Sequence, residues 1–341
     1  MKPPIIKNIN TKGKRVILRV DFNILNEKGK IEDDYRIKRT LPTIKLLKKK
    51  GAKIIIISHL TEGKAKTLRP VAEYLKIDFI PSVLGKNVEQ KISKMRPGDV
   101  LMLENLRTDK REKNNDKNFA KQLSQLGDVF VNEAFSVLHR KHASVARLPK
   151  YLPSYMGLLF EKELKNLQHV FKPKRPFFLI LGGIKFKTKL GILQRFIKIA
   201  DKIFIGGALT NNFFRLKKYL NNPKIILPLD VKRKNGVILD CGPKTIKMLS
   251  KIIRESKFIL WNGPLGDIEK KGFEKGTVAI ARAIAQSKAK SIIGGGDTVA
   301  VIDKLGLIKK FSFVSTAGGA MLEFLAKGTL PGIEALNKSR R

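Results

Sequence analysis

Short apolar runs alternate along the chain with longer segments in which apolar residues recur every three or four positions. The first pattern predicts β-strands and the second predicts α-helices. The predicted strands are Val16–Val20, Lys53–Ser58, Val100–Leu103, Val129–Val131, Phe177–Leu181, Ile203–Ile205, Phe258–Trp261, Ile292–Ile293 and Phe311–Val314, and predicted helices include Arg39–Lys50, Asn118–Leu126 and Lys189–Ala200. Several strands are apolar throughout, which is typical of strands covered on both faces. The alternation therefore predicts an α/β fold with mostly parallel sheets.

The length of 341 residues indicates two domains, since one domain usually takes roughly 150 residues. Residues 155–172 carry a partial apolar stripe, and Pro173 and Pro176 end it, so this range is predicted to be a linker helix. We therefore expect two Rossmann-like domains of similar size, at 1–154 and 173–324.

Composition narrows the class of protein. The net charge of +41 attracts polyanions, but it is spread along the chain, and one Trp and five Tyr give few surfaces for base stacking. We expect contact with nucleic acid to be nonspecific only, and keep a polyanion-binding or nucleic-acid-binding protein with weak catalysis as the alternative function. The single Cys241, the absence of an apolar leader and the shortness of every apolar run predict a cytoplasmic protein that does not enter membranes.

Charged and polar side chains follow the predicted strands of the first half. Ligands of parallel α/β sheets bind beyond the carboxyl ends of the strands, so these side chains are candidates for one site. They are Arg19, Asp21, Asn23, His59, Arg107 and Glu133, with Arg36 and Arg140 close by in sequence. Guanidinium groups suit phosphate and carboxylate because their planar fork matches these oxyanions.

Glycines follow the predicted strands of the second half. They stand in Gly182-Gly183, Gly206-Gly207, Gly263-Pro264, Gly294-Gly295-Gly296 and Gly318-Gly319. Glycine turns at helix N-termini expose backbone N–H groups to phosphates. Asp297 either caps a helix or binds Mg²⁺ carried by those phosphates, and it can serve both roles. One half thus suits a small polyanion and the other a nucleotide, which predicts phosphoryl transfer between two substrates.

Six segments, in order along the chain, resemble phosphoglycerate kinases. They are Arg15–Asn23, Leu103–Arg107, Asn132–Ser144, Leu181–Lys185, Trp261–Pro264 and Gly294–Thr298. The resemblance implies reversible transfer between 1,3-bisphosphoglycerate with MgADP and 3-phosphoglycerate with MgATP, by closure of two domains. It also implies a monomer whose C-terminal segment, 325–341, packs back on the first domain.

The resemblance assigns roles to residues by their position in the motifs. Substrate-binding residues would be Arg19, Asp21, Asn23, Arg36, His59, Arg107 and Arg140. Nucleotide-binding residues would be Gly182, Gly183, Lys189, Gly206, Gly207, Asn262, Glu269, Gly295, Gly296, Asp297 and Thr298, with Asp297 as the metal ligand. Arg36, Lys185 and Lys189 would be catalytic. Asp267 is a competing carboxylate for the position of Glu269. The acceptor is an ionised carboxylate, so no general base is needed.

The chain departs from the family pattern at three places. His59-Leu60 is followed by Thr61-Glu62-Gly63, where the family carries Gly-Arg-Pro, so one cation of the phosphate patch is missing. Either Lys64 or Lys66 replaces it, or the substrate phosphate is held less tightly. Lys187-Thr188 stands where a small residue and Asp are usual, and the stretches Asn211–Leu227 and Val231–Asp240 are shortened.

Overall fold

The computed structural model describes residues 2–61, 65–213, 219 and 221–339. The chain divides into two compact units, Met1–Leu164 with Thr329–Arg341 (unit 1) and Lys165–Gly328 (unit 2). Each unit contains a six-stranded parallel sheet, so the predicted α/β class is confirmed. No helix in the described ranges is both long enough and apolar enough to cross a membrane.

The sheet of unit 1 has the strand order β3-β4-β2-β1-β5-β6. Its strands are β1 Arg15–Arg19, β2 Lys53–Ile57, β3 Asp78–Ile80, β4 Val100–Leu103, β5 Val129–Asn132 and β6 Ser154–Met156. The helices are α1 Tyr35–Lys49, α2 Arg69–Leu75, α3 Lys86–Ser93, α4 Lys110–Lys113 and α5 Lys117–Gln125. Strand β1 lies between β2 and β5, so β2 to β4 lie on one side of β1 in the sheet and β5 and β6 lie on the other side.

The core of unit 1 forms where α1 covers the sheet. Ile37, Thr40, Ile44 and Leu47 are buried at the three-to-four-residue spacing of one helix face. Helix α1 begins at Tyr35, a turn before the predicted Arg39, and the N–H of this first helical residue donates a 2.7 Å hydrogen bond to the Asp33 carboxylate. The sequence signal for a helix start at Tyr35 is the acidic pair Asp33-Asp34, which precedes the apolar stripe.

The sheet of unit 2 has the order β14-β13-β12-β7-β8-β9. Its strands are β7 Phe177–Leu181, β8 Lys202–Ile205, β9 Ile225–Ile226, β12 Phe258–Asn262, β13 Lys290–Gly294 and β14 Phe313–Val314, and an antiparallel hairpin joins β10 Val231–Lys234 to β11 Val237–Cys241. The helices are α7 Phe186–Phe196, α8 Leu209–Phe213, α9 Pro243–Glu255, α10 Lys275–Gln286, α11 Gly296–Lys304 and α12 Gly319–Lys327. Phe178, Ile180, Ile259 and Trp261 form part of its buried core.

The predicted linker range 155–172 contains three elements. Strand β6 occupies its first residues, helix α6 runs Leu158–Gln168, and a 3₁₀ turn follows at His169–Phe171. The prediction of one helix from 155 was wrong because the short strand ends at Met156 and pairs with β5. Of the predicted returning segment 325–341, residues up to Lys327 lie in α12, whereas α13 Pro331–Asn337 packs on unit 1 and the Gly332 N–H donates to the Leu138 carbonyl at 2.9 Å.

Glu133, directly after β5, is a buried carboxyl at the start of α6. It accepts hydrogen bonds from the Leu159 N–H at 2.9 Å, from the Phe160 N–H at 3.3 Å and from the Thr43 hydroxyl. Burial raises the pKa of Glu133 to about 7, although these hydrogen bonds oppose the shift. The ionised carboxyl is therefore disfavoured in the folded chain.

We expect the free energy of unfolding to show this raised pKa. The unfolded carboxyl titrates near 4.5 and the folded one near 7, so the stabilisation by the protonated form is complete below the first value and is lost as pH rises through the second. The loss is roughly 3 kcal/mol by the linkage relation. Urea unfolding across that range should show a smaller decline for Glu133→Gln, which cannot ionise; parallel curves for both proteins would contradict the assignment.

Candidate functional site

The carboxyl edge of the sheet in unit 1 brings most of the predicted cations and their partners together. Strand β1 ends at Arg19 and is paired there with Ile57 of β2 and Asn132 of β5. The chain first builds outward on one side of β1 and later on the other, which makes this edge a topological switch point. Such points are where open α/β sheets bind ligands.

Arg19 is completely buried behind this edge. Its Nε donates to the Ser144 Oγ at 3.1 Å, its Nη2 donates to the His59 Nδ1 at 3.1 Å, and its Nη1 donates to the Val20 carbonyl. Burial and the charge of Arg19 hold the pKa of His59 well below its usual value, so this imidazole is neutral. Arg19 therefore acts as a buried support for His59.

Asp21 holds Arg36 at the same edge. Its Oδ2 accepts a 2.9 Å hydrogen bond from Arg36 Nη1 and another from the Ser136 hydroxyl. Burial works to raise the pKa of Asp21, but the charge of Arg36 and the hydrogen bonds from the Ser136 hydroxyl and the Asn23 N–H lower it well below its usual value. Asp21 is thus an anion that fixes the half-buried guanidinium group of Arg36.

Asn23 is bound at both ends of its carboxamide by Thr61. Its Nδ2 donates to the Thr61 Oγ1 at 2.8 Å, and its Oδ1 accepts from the Thr61 N–H at 3.0 Å. The residue that departs from the family pattern therefore orients a predicted substrate contact. Glu62 and Lys64 lie outside the described residues, and Lys66 is exposed.

Asn105 connects the segments that follow β2 and β4. Its Oδ1 accepts from the N–H of Leu60 at 2.9 Å and from the N–H of Arg107 at 3.0 Å. Arg107 is half-buried, whereas Arg140 is exposed. Residue types alone did not indicate Ser136, Ser144 or Glu112, since hydroxyls and a buried carboxylate carry no spacing signal of their own.

In unit 2 the ends of β7, β8 and β12 meet in a tight glycine turn. The Gly182 N–H donates to the Asn262 carbonyl at 2.9 Å, and the Gly183 N–H donates to the Pro264 carbonyl at 2.7 Å. A Cβ at Gly182 would lie 2.2 Å from the Pro264 carbonyl oxygen, and Gly183 has a φ of +81°. Both positions therefore require glycine. Gly206 joins the same turn through its N–H, which donates to the Leu181 carbonyl at 2.9 Å, and Gly207 follows it.

Lys189 lies over this turn. A Cβ added at Gly183 would be 3.3 Å from its Nζ, and the side chain is only 7% exposed. Burial lowers the pKa of Lys189 to about 8, with Asp297 opposing the shift and Lys185 adding to it. The ammonium is thus a partly desolvated charge at the edge of the sheet, whereas Lys185 is exposed.

Two buried polar atoms beside Gly295 have no hydrogen-bond partner. They are Nδ2 of Asn262, the last residue of β12, and Oγ1 of Thr298 in the first turn of α11. A Cβ at Gly295 would lie 3.4 Å from the first and 3.6 Å from the second, so both atoms border the same glycine. Buried donors without partners at a helix N-terminus match an anionic oxygen.

The carboxylates near this turn differ in their surroundings. Asp297 is exposed in the first turn of α11, next to exposed Gly296. Asp267 is paired with Lys270 at 2.9 Å, whereas Glu269 is exposed. The parts of the chain that the structure describes contain no group of three His, Cys, Asp or Glu side chains able to hold a metal ion by themselves. A single carboxylate at this edge fits a cation that phosphate oxygens also bind.

Comparisons with known proteins agree over nearly the whole chain. The sequence model of the family described as "Phosphoglycerate kinase" matches residues 6–225 and 221–328. A phosphoglycerate kinase of Orientia tsutsugamushi (strain Ikeda) is 41% identical, with 97% of this chain and 96% of that protein covered. One of Leptospira biflexa serovar Patoc is 40% identical, with 98% of both covered.

Solved structures give the same result. The phosphoglycerate kinase of Coxiella burnetii superimposes with a TM-score of 0.84 at 32% identity, covering 98% of this chain and 99% of that one. That of Pyrococcus horikoshii OT3 superimposes with a TM-score of 0.88 at 30% identity, covering 98% of both.

The comparisons also bear on the length of the chain. The alignment to the Orientia protein spans 390 positions, more than the 341 residues present, so it contains gaps in this chain. The two segments of the family match meet at 221–225, inside the stretch Asn211–Leu227 that the sequence marks as shortened. Because the family model matches residues 6–328 and two relatives are 40–41% identical over 97–98% of the chain, the chain belongs to the phosphoglycerate kinase family.

Proposed function

We propose that the chain transfers a phosphoryl group reversibly between 1,3-bisphosphoglycerate with MgADP and 3-phosphoglycerate with MgATP. Its family makes it a kinase and a phosphotransferase of glycolysis. One observation supports the assignment of one substrate to each unit: the two units have different anion-binding groups at the carboxyl edges of their sheets. Unit 1 has guanidinium groups and imidazole, and unit 2 has a glycine turn, a buried ammonium and two unpaired donors.

In unit 1 we assign the glycerate to Arg36, Arg107, Arg140, His59 and Asn23. Arg36 and Asn23 are already oriented, by Asp21 and Thr61 respectively, so little side-chain freedom is lost when the ligand binds. Arg19 and Asp21 support this set from behind. The acceptor oxygen belongs to a carboxylate that is ionised at neutral pH, so these residues have to position an anion and lower its repulsion toward a second one.

In unit 2 we assign the nucleotide phosphates to the turns Gly182-Gly183, Gly206-Gly207 and Gly295-Gly296, with Asn262 and Thr298 as donors. We assign stabilisation of charge on the transferred group to Lys189 and Lys185 in unit 2 and to Arg36 in unit 1. Glu269 is the proposed ribose contact, since the carboxylate of Asp267 is bound to Lys270.

Asp297 would hold Mg²⁺ together with phosphate oxygens of the nucleotide. The exposed carboxylate beside the unpaired donors fits such a bridging cation. When bound, the cation supplies partial neutralisation of the phosphate charge. We further propose a cytoplasmic monomer that attracts nucleic acid only through its net charge.

A coupled assay tests the reaction directly. The purified chain should release ADP only when ATP, Mg²⁺ and 3-phosphoglycerate are all present, and should form ATP from ADP and 1,3-bisphosphoglycerate. The control omits 3-phosphoglycerate and measures simple ATP hydrolysis. No turnover in either direction with all components present would refute the proposal.

A further inference from the structure

Four buried side chains form a continuous row of hydrogen bonds behind the carboxyl edge of the sheet in unit 1. The Ser144 Oγ–H donates to Glu112 Oε1 at 2.6 Å, and the Ser144 backbone N–H donates to Glu112 Oε2 at 2.9 Å. Arg19 Nε donates to the same Oγ at 3.1 Å, and Arg19 Nη2 contacts the His59 Nδ1 at 3.1 Å. Glu112, Ser144 and Arg19 have no exposed surface, and His59 is 3% exposed.

The donors in this row fix the positions of the protons. A guanidinium group can only donate, so the His59 Nδ1 must accept and carries no proton. The neutral ring then bears its proton on Nε2. Because the Ser144 Oγ accepts from Arg19, its single proton is directed to Glu112, which matches the short distance to Oε1.

Nearby carboxylates balance the charge of Arg19, a cation that has no access to water. Burial lowers the pKa of Arg19, and the carboxylates of Glu112 and Asp21 oppose this shift, while Arg107 adds to it. Glu112 reaches Arg19 through the Ser144 hydroxyl, and the His142 Nδ1 lies 3.9 Å from Glu112 Oε1. A buried charge that loses its partner is costly, so the position of Arg19 depends on Glu112.

We propose that Glu112 and Ser144 are positioning residues that hold Arg19 and thereby fix His59 with its proton on Nε2, as a neutral donor to the oxygens of the glycerate. Neither residue can touch the ligand, since both are fully buried. The inference rests on the proposed function, and it explains how one N–H donor is kept at an edge where the phosphate-patch cation of the family is missing.

The test compares two buried serines of unit 1. Ser144→Ala removes the link between Arg19 and Glu112, whereas Ser154→Ala removes a hydroxyl whose hydrogen bonds go only to the carbonyls of Pro149 and Leu152. We expect Ser144→Ala to raise the KM for 3-phosphoglycerate roughly tenfold and to leave the KM for ATP within about twofold. Ser154→Ala should change neither constant. Glu112→Gln, which keeps an acceptor for Ser144 but removes the charge, should act in the direction of Ser144→Ala.

The imidazole proton gives a readout that a purely structural role would not move. The chain has only four histidines, so ¹H–¹⁵N ring correlations can be assigned with a His59→Gln variant. The unmodified protein should show His59 protonated on Nε2, and Ser144→Ala should show a mixture of tautomers. A proton on Nδ1 in the unmodified protein, or unchanged spectra and unchanged KM values in both variants, would overturn the inference.

The two proposals fail in different ways. Calorimetric titration of the unmodified protein with 3-phosphoglycerate tests the proposed function first, and absence of binding there would reject that function. Binding by the unmodified protein with no loss in Ser144→Ala or Glu112→Gln would reject only the positioning role. If neither variant folds, a proton on Nδ1 of His59 in the unmodified protein would still overturn the inference.

Discussion

Replacing Lys189 by Met is expected to lower kcat by roughly a hundredfold to a thousandfold, the usual effect of removing one electrostatic donor. The reason is its position: the ammonium lies over the turn of Gly182 and Gly183 and is almost fully buried there. A desolvated charge interacts more strongly with the transferred group than an exposed one does. Because that group carries its developing charge only in the transition state, the KM for ATP should change far less than kcat.

Measurements of stability separate the catalytic role proposed for Lys189 from a structural one. Burial disfavours the charged form of Lys189 and lowers its pKa to about 8, so Met should leave the melting temperature unchanged or raise it. Lys198→Met is the matched control, since Lys198 is exposed two residues beyond α7, and it should keep both kcat and stability. Steady-state kinetics and thermal unfolding of the variants check these expectations. A kcat within about threefold of the unmodified enzyme, or a larger loss in Lys185→Met, would contradict the role assigned to Lys189.

Sequence patterns predicted the strands of both sheets well because most of them are buried on two faces. Every predicted strand is present, and Val100–Leu103 and Phe177–Leu181 have the predicted bounds. The missed strands are short or partly exposed, such as β3 Asp78–Ile80 and β9 Ile225–Ile226. A two- or three-residue strand is stabilised by its neighbours in the sheet, so its own residues give little signal.

The candidate site could be predicted only as far as strand ends and motifs carry it. Arg36 and Lys189 follow from their positions, but the burial of Arg19 does not, because an Arg at a strand end is usually exposed. Its partners Ser144 and Glu112 are 125 and 93 positions away in sequence, and only the fold brings them together. Thr61 shows the opposite case: the sequence marks it as a departure, and the structure gives it a contact with Asn23.

Replacing Gly182 by Ala is expected to destabilise unit 2 by about 3 kcal/mol, which corresponds to roughly 10 °C in melting temperature. The added methyl would lie 2.2 Å from the Pro264 carbonyl oxygen and 2.6 Å from that of Gly263. Both atoms are backbone and cannot turn aside as a flexible side chain would. The turn must open, which breaks the hydrogen bonds from the Gly182 and Gly183 N–H groups to the carbonyls of Asn262 and Pro264 and moves the surface under Lys189.

The consequence for nucleotide binding distinguishes a strained turn from a merely weakened fold. Gly182→Ala should lose most of its affinity for ATP even at temperatures where circular dichroism shows it folded, because the methyl displaces the turn that we assign to the nucleotide phosphates. Gly319→Ala is the matched control, as a Cβ there meets no atom within 4 Å and Gly319 begins helix α12, where alanine is favoured. Calorimetric titration with ATP and thermal unfolding of both variants provide the measurements. Native affinity and native melting temperature in Gly182→Ala would contradict the 2.2 Å distance between the added Cβ and the Pro264 carbonyl oxygen. This result would also remove the glycine turn from the proposed nucleotide site.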